Sequence, residues 1–182
     1  DALPILNEIY SDVSQDFEKY RDLEKKVIKY ADAFLFPNDL MNSMFNPKCK
    51  PFAVEYGIYK CSNKLSEKFD DSKIHVIYAG TFDPSKGGAA AAAAAAMYLT
   101  ENYHVHILGF GTEKQRIEIK RNIEDINKKT SATITYDGLL DGNEFLAFLQ
   151  KCHIGLSTQN PDAPYNNTSF PSKVLTYLAN GL

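Results

Sequence analysis

The sequence predicts an α/β protein whose larger part is a Rossmann-like parallel sheet with helices on both faces. From residue 73 onward, short β-rich runs alternate with helical segments, and the connections between them are short. Such alternation is typical of βαβ units, whose right-handed crossovers make neighbouring strands parallel. With 182 residues, of which 44% are hydrophobic, the chain is long enough to build a core of this kind.

The N-terminal part of the chain has a different pattern. Residues 1–30 carry apolar side chains at spacings of three and four, which predicts one amphipathic helix. We expect this helix to pack against a domain rather than to form a coiled coil, because Glu24 interrupts the seam that a coiled coil needs. Strands are predicted over 33–36 and 53–59, with a short helix between them.

Residues 60–72 are polar without a clear period and predict a linker between this N-terminal remnant, 1–59, and a second domain, 73–182. The alternating elements of the second domain are predicted strands over 74–79, 104–108, 133–136 and 154–157 and, after the first strand, helices that include 113–128, 144–151 and 171–180. Gly181 stands in the C′ position that favours glycine after a helix. Because the chain stops there, we expect it to be a fragment of a longer protein.

The charge, the cysteines and the hydrophobic runs of the sequence exclude several classes of function. The net charge of −3 gives no basic excess, so no nucleic-acid partner is expected. Three cysteines without CxxC spacing predict neither a disulfide scaffold nor a zinc site, and they suit a reducing, cytoplasmic compartment. The run Ala89–Ala96 is too short and too weakly hydrophobic to cross a bilayer, so no transmembrane segment is predicted.

His104 and His106 alternate around Val105, which is the spacing of a strand. We interpret them as an exposed strand end rather than as metal ligands, because a metal site needs three or four converging groups. No metal site is predicted.

The turn after the first strand, from Gly80 to Gly88, has the features of an anion site. Its glycines allow a ligand close to the backbone, and the following helix offers free N–H groups and a favourable dipole. Lys86 adds a positive charge at the same place. The order of a Walker A loop is absent, and a solvated lysine in a glycine-rich turn is the alternative.

After the second strand, Gly109-Phe110-Gly111 offers only part of a dinucleotide fingerprint. The third glycine is missing, and no acidic residue ends a following strand to hold a ribose. An NAD site is therefore not expected.

The segment before the last predicted helix, residues 166–173, also predicts an anion site. Ser169 suits an N-cap and Pro171 suits the first turn, so unpaired N–H groups, hydroxyls and Lys173 converge. An ordinary capped helix with an exposed lysine is the alternative. Asp137, Asp141 and Glu144 are assigned to capping and dipole roles rather than to catalysis, and no catalytic residue is assigned.

The ordered motifs YAGTFDPSKGG, HILGFG, ITYDGLLDGNEFLAFLQKCHIGLS and FPSKVLTYLANG resemble the C-terminal domain of GT-B glycosyltransferases. The resemblance covers about residues 73–182 and is greatest to the large retaining group often called family 4. Residues 30–37 resemble the strand that closes the N-terminal domain of that family. The resemblance implies that this chain is most of a nucleotide-sugar-binding domain, incomplete at its C-terminus.

The family's pattern assigns donor contacts to particular positions. Lys86 would contact the donor diphosphate, while Thr81 replaces a second cation and Thr168 and Thr176 replace two glutamates, of which the second usually holds the ribose. The base would lie near Gly109–Gly111 and the Gly138–Leu139 turn. The residues that the resemblance assigns to donor binding are Gly80, Thr81, Lys86, Gly109, Gly111, Gly138, Leu139, Thr168, Ser169, Phe170, Ser172, Lys173 and Thr176.

The implied activity is transfer of a sugar from a nucleotide-diphosphate donor to a glycan or lipid-linked acceptor, as in polysaccharide biosynthesis, with retention at the anomeric carbon. No metal or other cofactor is implied, because helix dipoles and cations can stabilise the leaving diphosphate. The acceptor pocket would lie on the absent part of the protein, so the fragment alone is expected to be inactive; peripheral association with a membrane stays open. A sugar-nucleotide epimerase of the same form and a degenerate, non-catalytic module are the alternatives.

Overall fold

The structure is a computed structural model in which the chain divides into two compact units. It describes residues 15–55, 60–61, 66–84, 88–158 and 172–182. The described residues up to 55 belong to the first unit, and those from 60 onward belong to the second.

The described part of the first unit is a small α/β arrangement. Its elements are α1 (Gln15–Tyr30), β1 (Phe34–Phe36), α2 (Asp39–Phe45) and β2 (Phe52–Val54). The two strands are parallel, with Phe34 opposite Phe52. Asn38 begins α2 as its N-cap, because its side chain accepts a hydrogen bond from the Met41 amide at 3.2 Å.

The predicted apolar face of the first helix is not its packed face. Leu23 and Val27 are 53% and 60% exposed, whereas Glu24 and Ile28 are half-buried. Ile28 faces a small hollow that Phe34 and Phe45 also line, so the buried stripe is offset by one residue from the predicted one. Leu23 and Val27 therefore do not pack on the described residues, and packing of this helix against a domain stays a prediction. Residues 1–14 of the predicted helix lie outside the described residues.

The second unit alternates strands and helices along the chain. Its elements are β3 (Ile74–Thr81), α3 (Gly88–Ala95) with a 3₁₀ turn (Ala96–Tyr98), β4 (Tyr103–Phe110), α4 (Glu113–Asn127), β5 (Thr133–Gly138), α5 (Gly142–Lys151), β6 (Ile154–Gly155) and α6 (Ser172–Ala179). None of the described helices is both long and apolar enough to cross a membrane.

The four strands of the second unit form one parallel sheet in the order β5-β4-β3-β6. Strands β4 and β5 follow β3 on one side, and β6 then pairs with the other side of β3. The strand order therefore reverses between β3 and β6. Strand β6 is short: it pairs with β3 only at Val76–Ile154 and Ile77–Gly155. In open α/β sheets, ligands bind at the carboxyl ends of the strands where the strand order reverses in this way.

Helices cover both faces of this sheet. On one face α3 and α4 pack on the strands through buried residues that include Ala92, Ala93 and Ile123. On the other face Leu149 of α5 and Tyr177 of α6 pack on Ile77 and Leu108. The predicted fold class, a parallel sheet with helices on both faces, is confirmed.

The predicted end of the last helix is confirmed in detail. Gly181 has a φ of 81°, and its N–H donates to the Leu178 carbonyl at 3.3 Å while the Leu182 N–H donates to the Tyr177 carbonyl at 3.1 Å. These are the two hydrogen bonds of a Schellman motif, which favours glycine at this position.

The described residues of the predicted linker pack on the second unit. The Ser66 N–H donates to the Gln150 side-chain oxygen at 3.0 Å, and the Phe69 N–H donates to the Lys151 carbonyl at 3.3 Å. The Phe69 ring stacks on His75 with 4.3 Å between ring centroids. An apolar side chain in a polar segment thus ties 66–69 to the face that α5 covers.

Candidate functional site

The carboxyl ends of β3, β4 and β5 bring three of the predicted glycines to one edge of the sheet. Gly80 lies opposite Gly109, and Leu108 lies opposite Gly138 after a bulge between the two strands. The turns that the sequence marked separately are therefore neighbours in space.

Gly109 is a position that only glycine fits. Its φ is 147°, and a Cβ placed there would lie 1.7 Å from the Gly80 carbonyl oxygen. At Gly138 the φ is 86°, but an added Cβ would meet nothing within 4 Å. The close approach of β3 and β4 at their ends thus depends on Gly109, whereas Gly138 serves the local backbone conformation alone.

The start of α4 beside Gly111 satisfies its own N–H groups. Thr112 and Gln115 form a capping box, in which the Thr112 N–H donates to the Gln115 side chain at 2.8 Å and the Gln115 N–H donates to the Thr112 hydroxyl at 3.3 Å. Fewer free donors remain here for an anion than a glycine-rich turn at a helix start would suggest.

An apolar cleft of about 210 Å³ opens at this edge of the sheet. Its lining residues come from the ends of β3 and β4 and from the segment between β5 and α5; they are Ala79, Gly80, Leu108, Gly109, Phe110, Leu139, Leu140 and Phe145. Phe110 and Leu139 are 58% and 64% exposed. The cleft can take a flat, uncharged ring but not a whole nucleotide sugar, since pockets for larger ligands have volumes from about 300 Å³ upward.

Tyr177 of α6 links β3 to the residue that follows β6. Its hydroxyl donates to the Leu156 carbonyl at 3.1 Å and accepts the Ala79 N–H at 3.2 Å. A Cβ on Gly155 would lie 2.3 Å from the Tyr177 ring, so this glycine admits the ring against β6. Burial raises the pKa of Tyr177 to about 12, which keeps the hydroxyl protonated as a donor.

The start of α6 reaches the turn after β3. Lys173 Nζ lies 5.7 Å from the ring centroid of Tyr78, and a Cβ on Gly80 would come within 2.6 Å of Lys173 Cε. The absence of a side chain at Gly80 therefore gives the lysine its room. Tyr78 is buried and donates to the Thr81 carbonyl at 3.1 Å, and burial raises the pKa of its hydroxyl to about 12.

The start of α3 lies against the same tyrosine. A Cβ on Gly88 would lie 2.6 Å from the Tyr78 hydroxyl and 2.8 Å from the Thr158 carbonyl oxygen. The Thr158 hydroxyl also donates to the Gly88 carbonyl at 2.7 Å. The first residues of α3 and α6 thus both lie beside Tyr78 of β3, the strand at which the order reverses.

Two of the predicted site threonines use their hydroxyls locally. Thr81 accepts the Asp83 N–H at 3.2 Å, and Thr176 donates to the Ser172 carbonyl one helical turn earlier at 3.2 Å. The other predicted positions Lys86, Thr168, Ser169 and Phe170 lie outside the described residues.

Three acidic residues were assigned to capping on sequence grounds. Asp141 is the N-cap residue of α5, although its side chain makes no capping hydrogen bond, and Glu144 lies in the first turn. The assignment is wrong for Asp137, whose carboxylate lies 3.1 Å from His106 Nδ1 and accepts the Thr135 hydroxyl at 2.8 Å. Asp137 belongs to β5, so the strand places it beside β4 rather than at a helix start.

The interpretation of the strand histidines as an exposed strand end is also wrong. His106 is 3% exposed and His104 is half-buried. Both side chains lie on the face of the sheet that α5 covers, where Phe69 and Phe148 pack against the His106 ring. Period-two spacing places two residues on one face of a sheet but does not tell which elements cover that face.

The residues that link β3, β6, α3 and α6 to one another were not predicted from the sequence. Tyr78, Gly155, Thr158 and Tyr177 act through contacts with residues far away along the chain, such as the 98 positions between Tyr177 and Ala79. The one available signal was a tyrosine in an amphipathic helix, because the hydroxyl of a buried tyrosine needs a hydrogen-bond partner.

No protein-family model matches this chain, and no curated protein sequence matches it. Solved structures do match. The trehalose-6-phosphate phosphatase N-terminal domain of Candida albicans has a TM-score of 0.60 at 10% identity, over 97% of this chain and 51% of that chain. An alpha,alpha-trehalose-phosphate synthase (UDP-forming) from Burkholderia vietnamiensis has a TM-score of 0.57 at 14% identity, over 92% of this chain and 46% of that chain.

This chain therefore spans about half the length of the two structures that it resembles. At such identities the likeness concerns the fold, which is a GT-B-like, Rossmann-like arrangement of parallel sheets flanked by helices. The predicted glycosyltransferase-like fold is thereby confirmed, while membership of family 4 and assignment to the C-terminal domain remain predictions.

Proposed function

We propose that the second unit holds the nucleotide-diphosphate sugar of a glycosyltransferase at the carboxyl edge of its sheet. The observation that carries this proposal is the convergence of two helix starts and a lysine beside Tyr78, at the point where the strand order reverses. Helix N-termini favour anions through free N–H groups and the helix dipole, and the switch point leaves room for a ligand.

The donor would lie with its diphosphate across the starts of α3 and α6. Lys173 and Ser172 would contact the phosphates from α6, and Lys86 would add the second charge from the turn before α3. The base would enter the apolar cleft beside Gly109 and Leu139, whose lining suits a flat ring. This placement joins the two turns that the sequence marked as separate anion sites.

The proposed chemistry is transfer of the sugar to a glycan or lipid-linked acceptor, with release of the nucleoside diphosphate. The charge that develops on the leaving diphosphate would be stabilised by the helix starts and the lysines, without a requirement for a metal ion. A UDP-forming synthase among the similar structures supports this class of reaction. Retention at the anomeric carbon, the acceptor and a cytoplasmic location are part of the proposal.

Calorimetric titration of the chain with UDP and with GDP tests this function. We expect one of them to bind, and Lys173→Ala to weaken binding about tenfold or more, because a hydrogen bond to a charged group contributes about 1.5–3 kcal/mol. Lys86→Ala should act in the same direction.

The matched control is Lys129→Ala, which removes an exposed lysine after the last turn of α4 and should leave binding unchanged. If neither diphosphate binds, or if Lys173→Ala and Lys129→Ala bind alike, the proposed site is wrong.

A further inference from the structure

Three histidines meet at the opposite edge of the sheet from the candidate donor site. His75 lies near the start of β3, opposite His104 of β4, and His106 follows two residues later on the same face. One ring nitrogen from each lies within 4.8 Å of those of the other two. His75 and His106 are 2% and 3% exposed, and His104 is half-buried, so the cluster is inside the unit with one imidazole toward solvent.

Each imidazole of this histidine cluster is held from outside by an oxygen acceptor. The outer contacts are His75 Nε2 to Asp71 Oδ1 at 2.7 Å, His106 Nδ1 to Asp137 Oδ2 at 3.1 Å, and His104 Nε2 to Thr135 Oγ1 at 3.0 Å. Metal-binding histidines commonly show this arrangement, in which a carboxylate or other oxygen orients the ring from behind.

The inner nitrogens of the two buried rings face each other. Carboxylates only accept, so His75 Nε2 and His106 Nδ1 must carry the protons of their outer hydrogen bonds. A neutral imidazole has one N–H, which leaves lone pairs on His75 Nδ1 and His106 Nε2. These two atoms are 2.8 Å apart, and a proton or a metal ion between them would bind to both lone pairs.

We propose that the histidine cluster binds one divalent transition-metal ion of the zinc or nickel class through His75, His104 and His106. Imidazole nitrogens suit these metals, and three protein ligands with an open fourth position form a common zinc geometry. Two nitrogens on a tetrahedral zinc ion lie about 3.3 Å apart, so the buried pair has to open by about half an ångström. Binding of the ion between these nitrogens would release a proton held there to solvent.

The surroundings favour a metal ion over a proton alone. A proton shared by His75 and His106 needs two imidazoles, but the structure brings a third ring nitrogen to the same place. The two carboxylates, Asp71 and Asp137, balance the charge of a dication, and half-buried His104 gives the ion a way in.

Neighbouring candidates for a fourth ligand are already engaged. His153 Nδ1 accepts the His75 backbone N–H at 3.0 Å. The Cys152 thiol donates to the Phe148 carbonyl at 3.6 Å, and burial raises its pKa to about 12. Among the described residues no fourth protein ligand is thus offered, and water would take the fourth position.

The test is titration of the chelator-treated chain with zinc and nickel chloride by calorimetry, with cobalt absorption spectra to report tetrahedral coordination. We expect one ion per chain and a rise in melting temperature on binding. His104→Gln should weaken binding by at least about tenfold, and Asp137→Asn by about 10- to 100-fold, since outer-shell partners have effects of that size.

His153→Gln is the matched control, because it changes a neighbouring imidazole whose nitrogen is occupied and should leave affinity unchanged. Circular dichroism of each variant separates lost binding from lost folding, and the milder Asp137→Asn keeps the test decisive if His104→Gln is unstable. The proposal is overturned if no saturable binding occurs at millimolar metal. It is also overturned if metal binds equally to His104→Gln, Asp137→Asn and His153→Gln.

Discussion

At Gly109 the ends of β3 and β4 lie so close that a Cβ would come within 1.7 Å of the Gly80 carbonyl oxygen. We expect Gly109→Ala to lower the free energy of unfolding by about 3 kcal/mol, because backbone strain and a clash with the Gly80 carbonyl add together. Gly138→Ala is the matched control: it shares the positive φ but meets no atom, so about 1–2 kcal/mol is expected.

Urea unfolding followed by circular dichroism compares the two variants. Equal losses for both would mean that the approach of β3 to β4 contributes nothing beyond local conformation. The apolar cleft beside Gly109 would then need a different structural explanation.

At the scale of elements, α3 fills its place incompletely. Ala89, Ala92 and Ala93 of this helix are buried. Beside the helix lies a hollow of about 180 Å³, whose lining includes Phe82, Ala90 and Ile119. We expect Ala90→Leu to raise the free energy of unfolding by about 0.5–2 kcal/mol, because a larger side chain fills that hollow.

Ala94→Leu provides the comparison, since Ala94 is an exposed alanine of the same helix that does not line the hollow. Thermal unfolding of both variants distinguishes filling from helix propensity. If Ala94→Leu stabilises the chain as much as Ala90→Leu, the hollow has no energetic role.

Elements with a clear local signal could be predicted from the sequence. Alternation of β-rich runs and helices indicated the parallel sheet, and Gly181 marked the end of α6, because period and helix-end chemistry depend on neighbouring residues. The length of β6 could not be predicted. Only two of its four expected residues pair with β3, and further along β3 the Ala79 N–H donates to the Tyr177 hydroxyl instead.

The candidate site could be predicted only in part for the same reason. The glycine turns were recognisable because each follows a strand, and parallel topology brings them together. The contact of His75 with His106 joins residues 31 positions apart and depends on strand register, which no local pattern in the chain specifies.

At the scale of the whole molecule, the second unit carries two chemically different regions on one sheet. Glycines, the starts of α3 and α6, and Lys173 lie at the carboxyl ends of β3 and β4. The histidine cluster and its carboxylates lie toward the amino ends of these strands. Residues 75 and 80 of β3 belong to the two regions, and about 3.3 Å of rise per residue separates them by roughly 16 Å. We expect a diphosphate and a metal ion to bind without excluding each other.

A nucleoside diphosphate is expected to bind at the carboxyl ends of β3, β4 and β5, beside the starts of α3 and α6. Amide chemical-shift mapping of the isotope-labelled chain during separate titrations with UDP and with GDP tests this binding most directly. With the diphosphate that binds, the largest shifts are expected at Gly80, Gly109, Leu139 and Lys173, and the amides around His104 should be unchanged. Absence of shifts, or shifts confined to the amino ends of the strands, would contradict it.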